Sequence, residues 1–174
     1  MITDKLDAVG NTTAAIGKGF AIGSAAFATV SLIVAYVGNY TPLGVDLDLN
    51  IADYVVVAGG LIGGALIEFF AALLTANTIK AAKKMADQGD KMMTEEVIKG
   101  LEKPNYNLCI GTATTESLKH MLLPSVLAIL IPVLGGFIFG VKFVGGLLVG
   151  ATIVAVPRAI FMGNSGGEIG RAHV

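Results

Sequence analysis

Polar and charged side chains interrupt a largely apolar stretch near the beginning of the chain. Asp7, Asn11 and Lys18 lie within residues 7–24, which are otherwise mostly Gly, Ala and Ile. At 3.6 residues per turn, these three positions and Ala14 share one face of a helix. A carboxylate, an amide and an ammonium are costly in hydrocarbon unless they face a bundle interior or a wet cavity, where they commonly mark an ion or substrate pathway. The spacing therefore indicates an ion site.

A simpler interpretation of the same residues stays open. Asp4 and Asp7 would complement the dipole at the start of a helix, and Lys18 would extend its ammonium back to the membrane surface. In that case the stretch is a helix entrance at the bilayer surface and carries no chemistry.

The composition is that of a membrane protein. Of 174 residues, 54% are hydrophobic and only 14% are charged, and the mean hydropathy is +0.75, whereas soluble domains are roughly 45–50% apolar. The net charge of -1 offers no basic surface, which excludes nucleic acid as a partner. The single cysteine, Cys109, excludes an internal disulfide.

Four apolar runs predict four transmembrane helices and an all-α fold. We place these helices at about residues 13–37, 51–76, 121–140 and 144–162. The polar segment 77–119 is rich in Lys and is predicted to be cytoplasmic, as are both termini, while Lys142 is a lone basic residue on the outside. Glu68 is the one charge in the middle of the second run. It is either a proton or sodium ligand or an interior carboxylate bonded to a neighbouring helix, and no partner for it is evident.

Motifs at both ends of the chain resemble one family. The stretch Gly-Asn-Thr-Thr-Ala-Ala-Ile-Gly-Lys-Gly around Asn11 and Lys18 resembles a signature of the membrane-bound, ion-translocating inorganic pyrophosphatases, where it opens a helix that lines the active site. Residues 103–109, Lys-Pro-Asn-Tyr-Asn-Leu-Cys, and residues 161–167, Phe-Met-Gly-Asn-Ser-Gly-Gly, are similar to later parts of that family. The resemblance makes residues 1–167 a partial transmembrane domain of a larger multi-helix bundle.

The resemblance implies a function. The parent protein would be a pump that couples hydrolysis of inorganic pyrophosphate to translocation of sodium ions or protons, with Mg²⁺ and K⁺ as cofactors and the active site on the cytoplasmic side. It would be a homodimer embedded in membrane lipid, in the plasma membrane of a prokaryote or in an acidic-organelle membrane. Most of the family's catalytic residues are not in this chain, so we expect the fragment alone to be inactive.

The resemblance also assigns individual residues. Asp7, Asn11 and Lys18 would bind substrate and magnesium, with Asn11 as the metal ligand. Ala14 and Gly17 match the potassium-dependent branch, because the potassium-independent branch has Lys and usually Thr at these positions. A Lys at position 14 would place an ammonium on the face of Asn11 and Lys18, where a monovalent cation could otherwise sit.

Two further interpretations concern the alternative function and the last residues. A small passive channel or transporter subunit, with Asp7, Asn11 and Lys18 lining a pore, is the alternative from a different class. Residues 168–174, Glu-Ile-Gly-Arg-Ala-His-Val, resemble nothing in the family and match the in-frame translation of a common sequencing adapter. We therefore expect this tail to be non-native.

Overall fold

The structure is a computed structural model in which every regular element is a helix. It describes residues 2–44 and 47–171, and the side chains of these except at positions 2–4, 7, 41 and 167–171. The helices are α1 (Ile2–Tyr40), a 3-10 turn (Thr41–Leu43), α2 (Tyr54–Met92), α3 (Glu95–Ile98), α4 (Tyr106–Phe139) and α5 (Val141–Arg171). The predicted all-α class is confirmed, since the described part of the chain contains no strand.

The four predicted crossings are confirmed as four helices that are long and apolar enough to cross a membrane. These spans are Ala8–Tyr40, Tyr54–Met92, Tyr106–Phe139 and Val141–Gly166. The helices are longer than the apolar runs. At 1.5 Å per residue, the 39 residues of α2 measure roughly 58 Å, about twice the thickness of a hydrocarbon core. Most of the polar segment 77–119 is therefore helical and continues α2 and α4 beyond their apolar parts.

The chain divides into two compact units. One contains Met1–Glu68 and Leu134–Val174, and the other contains Phe69–Val133. The first unit holds α1, α5, the first part of α2 and the last residues of α4. It also holds the predicted site residues of α1 and the motif at residues 161–167.

In the first unit, α2 and α5 pack backbone against backbone through glycines. A Cβ added at Gly63 would meet the carbonyl of Leu147, and one added at Gly150 would meet the carbonyl of Gly60. Gly59 and Gly146 are equally close to backbone atoms of the facing helix. Small residues allow such close approach where van der Waals packing must replace the hydrophobic effect. The Gly-xxx-Gly pairs of α2 thus meet a matching pair, Gly146 and Gly150, on α5.

A group of contacts joins the ends of these helices where the chain reverses direction. Gly140 turns between α4 and α5 with a φ of 85°, a conformation that favours glycine. The hydroxyl of Tyr36 in α1 donates a hydrogen bond to the carbonyl of Val141 at 3.0 Å. Lys142 Nζ lies 2.9 Å from Asp53 Oδ2, and Asp53 Oδ1 accepts the amide of Val55 at the beginning of α2.

In the second unit, polar contacts join α2 to α4. Lys84 and His120 both contact the largely buried carboxylate of Glu116, His120 at 3.4 Å. Asn77 donates a hydrogen bond from its side chain to the carbonyl of His120 at 3.4 Å. Cys109 Sγ lies 3.9 Å from Met92 Sδ.

Candidate functional site

The predicted site residues lie on the uninterrupted helix α1. Asn11, Ala14, Gly17 and Lys18 are all exposed, and a Cβ added at Gly17 would meet nothing within 4 Å. The side chain of Asp7 is not among the described ones. Continuous helix between residues 7 and 18 puts these positions on one face, as the spacing predicts. The assignment of chemistry to them stays a prediction.

Magnesium needs more oxygen ligands than this face provides. Among the described residues, no group of three or more His, Cys, Asp and Glu side chains could hold a metal ion. Mg²⁺ is usually held through carboxylates and substrate phosphates. The described part of the chain therefore does not fit a complete magnesium site, and Asn11 could contribute at most one ligand oxygen to one.

The helix α5 runs antiparallel to α1, and this arrangement determines which residues of α5 are level with the site face, the face of α1 that carries Asn11, Ala14 and Lys18. Tyr36, near the end of α1, contacts Val141, the first residue of α5. Further along, both helices line one apolar groove of about 480 Å³, with α1 residues 21–29 facing α5 residues 148–159. Only an antiparallel arrangement satisfies both contacts.

This arrangement sets the level of the site residues along α5. Lys18 lies eighteen residues before Tyr36, and Ala159 lies eighteen residues after Val141, so both are roughly 27 Å from the contact between α1 and α5. By the same count Ala14 is level with Gly163 and Asn11 with Gly166. The motif at residues 161–167 is therefore level with Asn11, Ala14 and Lys18 along the helix axis, while the side chains of these three residues are exposed.

An ion pair between α2 and α5 lies at the same level. Arg158 Nη2 is 2.6 Å from Glu68 Oε2, and the guanidinium carbon of Arg158 lies 5.7 Å from the centre of the Phe161 ring. No partner for Glu68 was evident from the sequence, and Arg158 was not among the predicted site residues. The signal was present, because two opposite charges in two apolar runs of one chain each need a partner in hydrocarbon.

Several basic residues outside the site face also form ion pairs. Lys142, predicted as a lone basic residue, pairs with Asp53, and the Lys142 ammonium lowers the pKa of the Asp53 carboxyl. In the polar segment 77–119, Lys84 pairs with Glu116, and Lys99 pairs with Glu95 at 2.9 Å. The exposed pair of Lys99 and Glu95 agrees with a solvated, mixed-charge surface, whereas the pair of Lys84 with the largely buried Glu116 joins α2 to α4.

Comparison with known proteins identifies the family. The family model described as inorganic H⁺ pyrophosphatase matches residues 1–172. The chain is 45% identical over 175 residues to the K⁺-stimulated pyrophosphate-energized sodium pump of Thermotoga maritima, covering 95% of this chain and 24% of that protein.

Two further relatives have different names. The putative K⁺-stimulated pyrophosphate-energized sodium pump of Clostridium tetani is 41% identical over 168 residues, 95% of this chain and 24% of that protein. The K⁺-insensitive pyrophosphate-energized proton pump of Methanosarcina mazei is 36% identical over 168 residues, 95% of this chain and 25% of that protein. The chain thus spans about a quarter of the length of these curated relatives. On the family match and the four apolar helices, the chain belongs to the inorganic H⁺ pyrophosphatase family.

Proposed function

We propose that this chain is part of a membrane pump that couples hydrolysis of inorganic pyrophosphate to transport of sodium ions or protons. The observation that carries the proposal is the family match over residues 1–172, together with relatives named as pyrophosphate-energized pumps. The parent would lie in a prokaryotic plasma membrane or an acidic-organelle membrane, surrounded by lipid, and act as a homodimer.

Within the parent, this chain would supply one wall of the pyrophosphate site. Lys18 would pair its ammonium with a phosphate oxygen, a charge-assisted interaction that strengthens as water is excluded. Asn11 would contribute an amide oxygen to a magnesium shell completed by carboxylates outside this chain, and Asp7 would add charge on the same face. The fragment alone is proposed to be inactive, because the resemblance assigns most of the catalytic residues to parts of the parent that this chain does not span. The site would face the cytoplasm.

Potassium dependence is proposed for the parent on the basis of Ala14 and Gly17. Both positions are small and exposed, and Ala14 lies on the face of Asn11 and Lys18, which leaves room for a monovalent cation beside Asn11. The two relatives named as K⁺-stimulated are 45% and 41% identical to this chain, and the K⁺-insensitive one is 36% identical. Both observations support the potassium-dependent type.

The test is to express the full-length parent and measure phosphate release from pyrophosphate and ion uptake in membrane vesicles. Activity of the wild type with Mg²⁺ and pyrophosphate is expected, and Asn11→Ala should lose most of it while inserting normally. Ser31→Ala is the matched control, because its hydroxyl bonds only the backbone of its own helix, the carbonyl of Phe27, far from the site face. A parent that releases no phosphate from pyrophosphate would refute the proposed function, and full turnover of Asn11→Ala would return α1 to the helix-entrance interpretation.

A further inference from the structure

The ion pair between Glu68 and Arg158 is unusual for its position. Both residues lie within membrane spans, where a charged side chain costs about 2.5–3.5 kcal/mol by insertion scales. Their side chains are half-buried, with exposed fractions of 50% for Glu68 and 34% for Arg158. Such a feature is retained for function more often than for stability, because a close apolar pair would be cheaper in hydrocarbon.

Among the described residues, this pair is one of two ion pairs that link α2, or the residue just before it, to α5. Asp53 pairs with Lys142 at one end of the interface, and Glu68 follows fifteen residues later on α2, while Arg158 follows sixteen residues after Lys142 on α5. At 1.5 Å per residue, the two ion pairs are roughly 23 Å apart. Parallel helices joined at two such points have a fixed register.

Between the two pairs, α2 and α5 pack backbone against backbone. The interface is lined by glycines whose backbones touch, including Gly59, Gly63, Gly146 and Gly150. Side chains that interdigitate are what normally resist sliding and rotation of one helix on another, and glycine has none. The buried side chains of Val56 and Leu147 lie beside these glycines, and the two ion pairs add charged contacts at either end of the interface.

Arg158 is directly connected to the motif that follows it. Its guanidinium lies over the ring of Phe161, the first residue of the motif, and one turn of helix separates the two. Among the described residues, Arg158 Nε is buried without a hydrogen-bond partner, so the side chain is held in place by Glu68 and the ring. Arg158 is also level with Lys18 of the site face, by the count from Tyr36 and Val141.

We propose that Glu68 and Arg158 are positioning residues that set where residues 161–166 of α5 stand relative to α2, at the level of Asn11, Ala14 and Lys18 on α1. The inference rests on the proposed function, because it concerns the geometry of the pyrophosphate site. Neither residue is proposed to touch substrate. Breaking the pair should let the end of α5 move and so weaken substrate binding.

The experiment uses the full-length parent in membranes and measures KM and kcat for pyrophosphate with saturating Mg²⁺. Glu68→Gln and Arg158→Gln should each raise KM about tenfold, which corresponds to about 1.4 kcal/mol of lost binding. The exchanged variant, Glu68→Arg with Arg158→Glu, restores the pair with its charges reversed and should return KM to within about threefold of the wild type. Asp53→Asn and Lys142→Gln are the matched controls, since they break the other ion pair of the same two helices. They should change KM by less than about twofold.

A second measurement does not depend on activity. Ala21 and Ala159 line the same groove between α1 and α5, so cysteines at both positions should be cross-linked by a bifunctional thiol reagent that spans the groove in the wild-type background. Arg158→Gln should lower the yield of this cross-link, and Lys142→Gln should leave it unchanged.

The outcomes separate this inference from the proposed function. With an active wild type, three outcomes would overturn the positioning role alone. They are a wild-type KM in Glu68→Gln and Arg158→Gln, an unchanged cross-link yield in Arg158→Gln, and equal effects on KM from breaking either of the two ion pairs. A wild type without pyrophosphatase activity would overturn the proposed function and the positioning role with it.

Discussion

The glycine interface of α2 and α5 predicts that two neighbouring glycines respond oppositely to the same substitution. A Cβ added at Gly63 would meet the carbonyl of Leu147 and lie 2.9 Å from the amide nitrogen of Ala151. A Cβ added at Gly60 would lie 3.6 Å from the carbonyl oxygen of Gly146, an ordinary van der Waals contact. Gly63→Ala should therefore force the helices apart, whereas Gly60→Ala should fit.

The size of the effect follows from three contributions. Overpacking a tight interface costs about 1–3 kcal/mol. Separating the helices also weakens Cα–H to carbonyl contacts such as that of Gly150 with Gly60, each contributing about 0.5–1 kcal/mol. The better helix propensity of alanine offsets these by at most about 1 kcal/mol. We expect Gly63→Ala to lower the stability of the parent by about 1–3 kcal/mol, and Gly60→Ala to be neutral or slightly stabilising.

The assay heats the purified full-length protein in detergent and measures the fraction that remains monodisperse at each temperature. The midpoint for Gly63→Ala should fall below the wild type, and that for Gly60→Ala should not. Equal midpoints for the two variants, or a lower one for Gly60→Ala, would show that the backbones of α2 and α5 do not approach as closely as the structure has them.

Three further predictions concern the ion pair at the turn, the potassium site and the orientation in the membrane. Lys142 lowers the pKa of Asp53 below its usual 3.8, so the ion pair stabilises the fold above that pH and loses its effect as the pH falls through the lower pKa of the folded state. The difference in stability between wild type and Asp53→Asn should therefore be constant near neutral pH and vanish in acid. Ala14→Lys should free the parent from a potassium requirement in phosphate-release assays, and a wild type indifferent to potassium would contradict this. A cysteine at Thr41 should react with an impermeant reagent from the outside and one at Gly89 from the cytoplasm, and labelling of both from one side would refute the proposed orientation.

The number and class of the helices could be predicted from the sequence because the thickness of a membrane sets the length of each apolar run. A run of about 20 apolar residues is needed for each crossing, and each of the four runs became part of one long helix. The ends of the helices could not be predicted in the same way. Residues 77–92 and 106–119 are helical but polar, so their hydropathy marks where the apolar part stops and not where the hydrogen-bonded helix stops.

Contacts between helices were harder to predict, as the glycines of α2 and the partner of Glu68 show. The Gly-xxx-Gly pairs of α2 indicate that some helix packs closely there, but the facing Gly146 and Gly150 lie more than eighty residues away along the chain. Nothing local records which of several apolar helices will face α2, or in what register. Once α5 is known to face α2, the pairing of Glu68 with Arg158 follows from the cost of leaving either charge alone in hydrocarbon.

The distance between the turn and the site explains why a costly ion pair lies where it does. Tyr36 and Val141 join α1 to α5 at the turn end, and Lys18 is roughly 27 Å away along the helix. Over that length a tilt of about 5° moves the site end by about 2 Å, and misplacement of about 1 Å can reduce catalysis by about a hundredfold. For the proposed pyrophosphate site, contacts at the turn, including the pair of Asp53 and Lys142, are too far away to hold the face of Asn11, Ala14 and Lys18 to that tolerance. The groove between α1 and α5 and the proposed positioning pair of Glu68 and Arg158 between α2 and α5 are the contacts nearer to the level of Lys18.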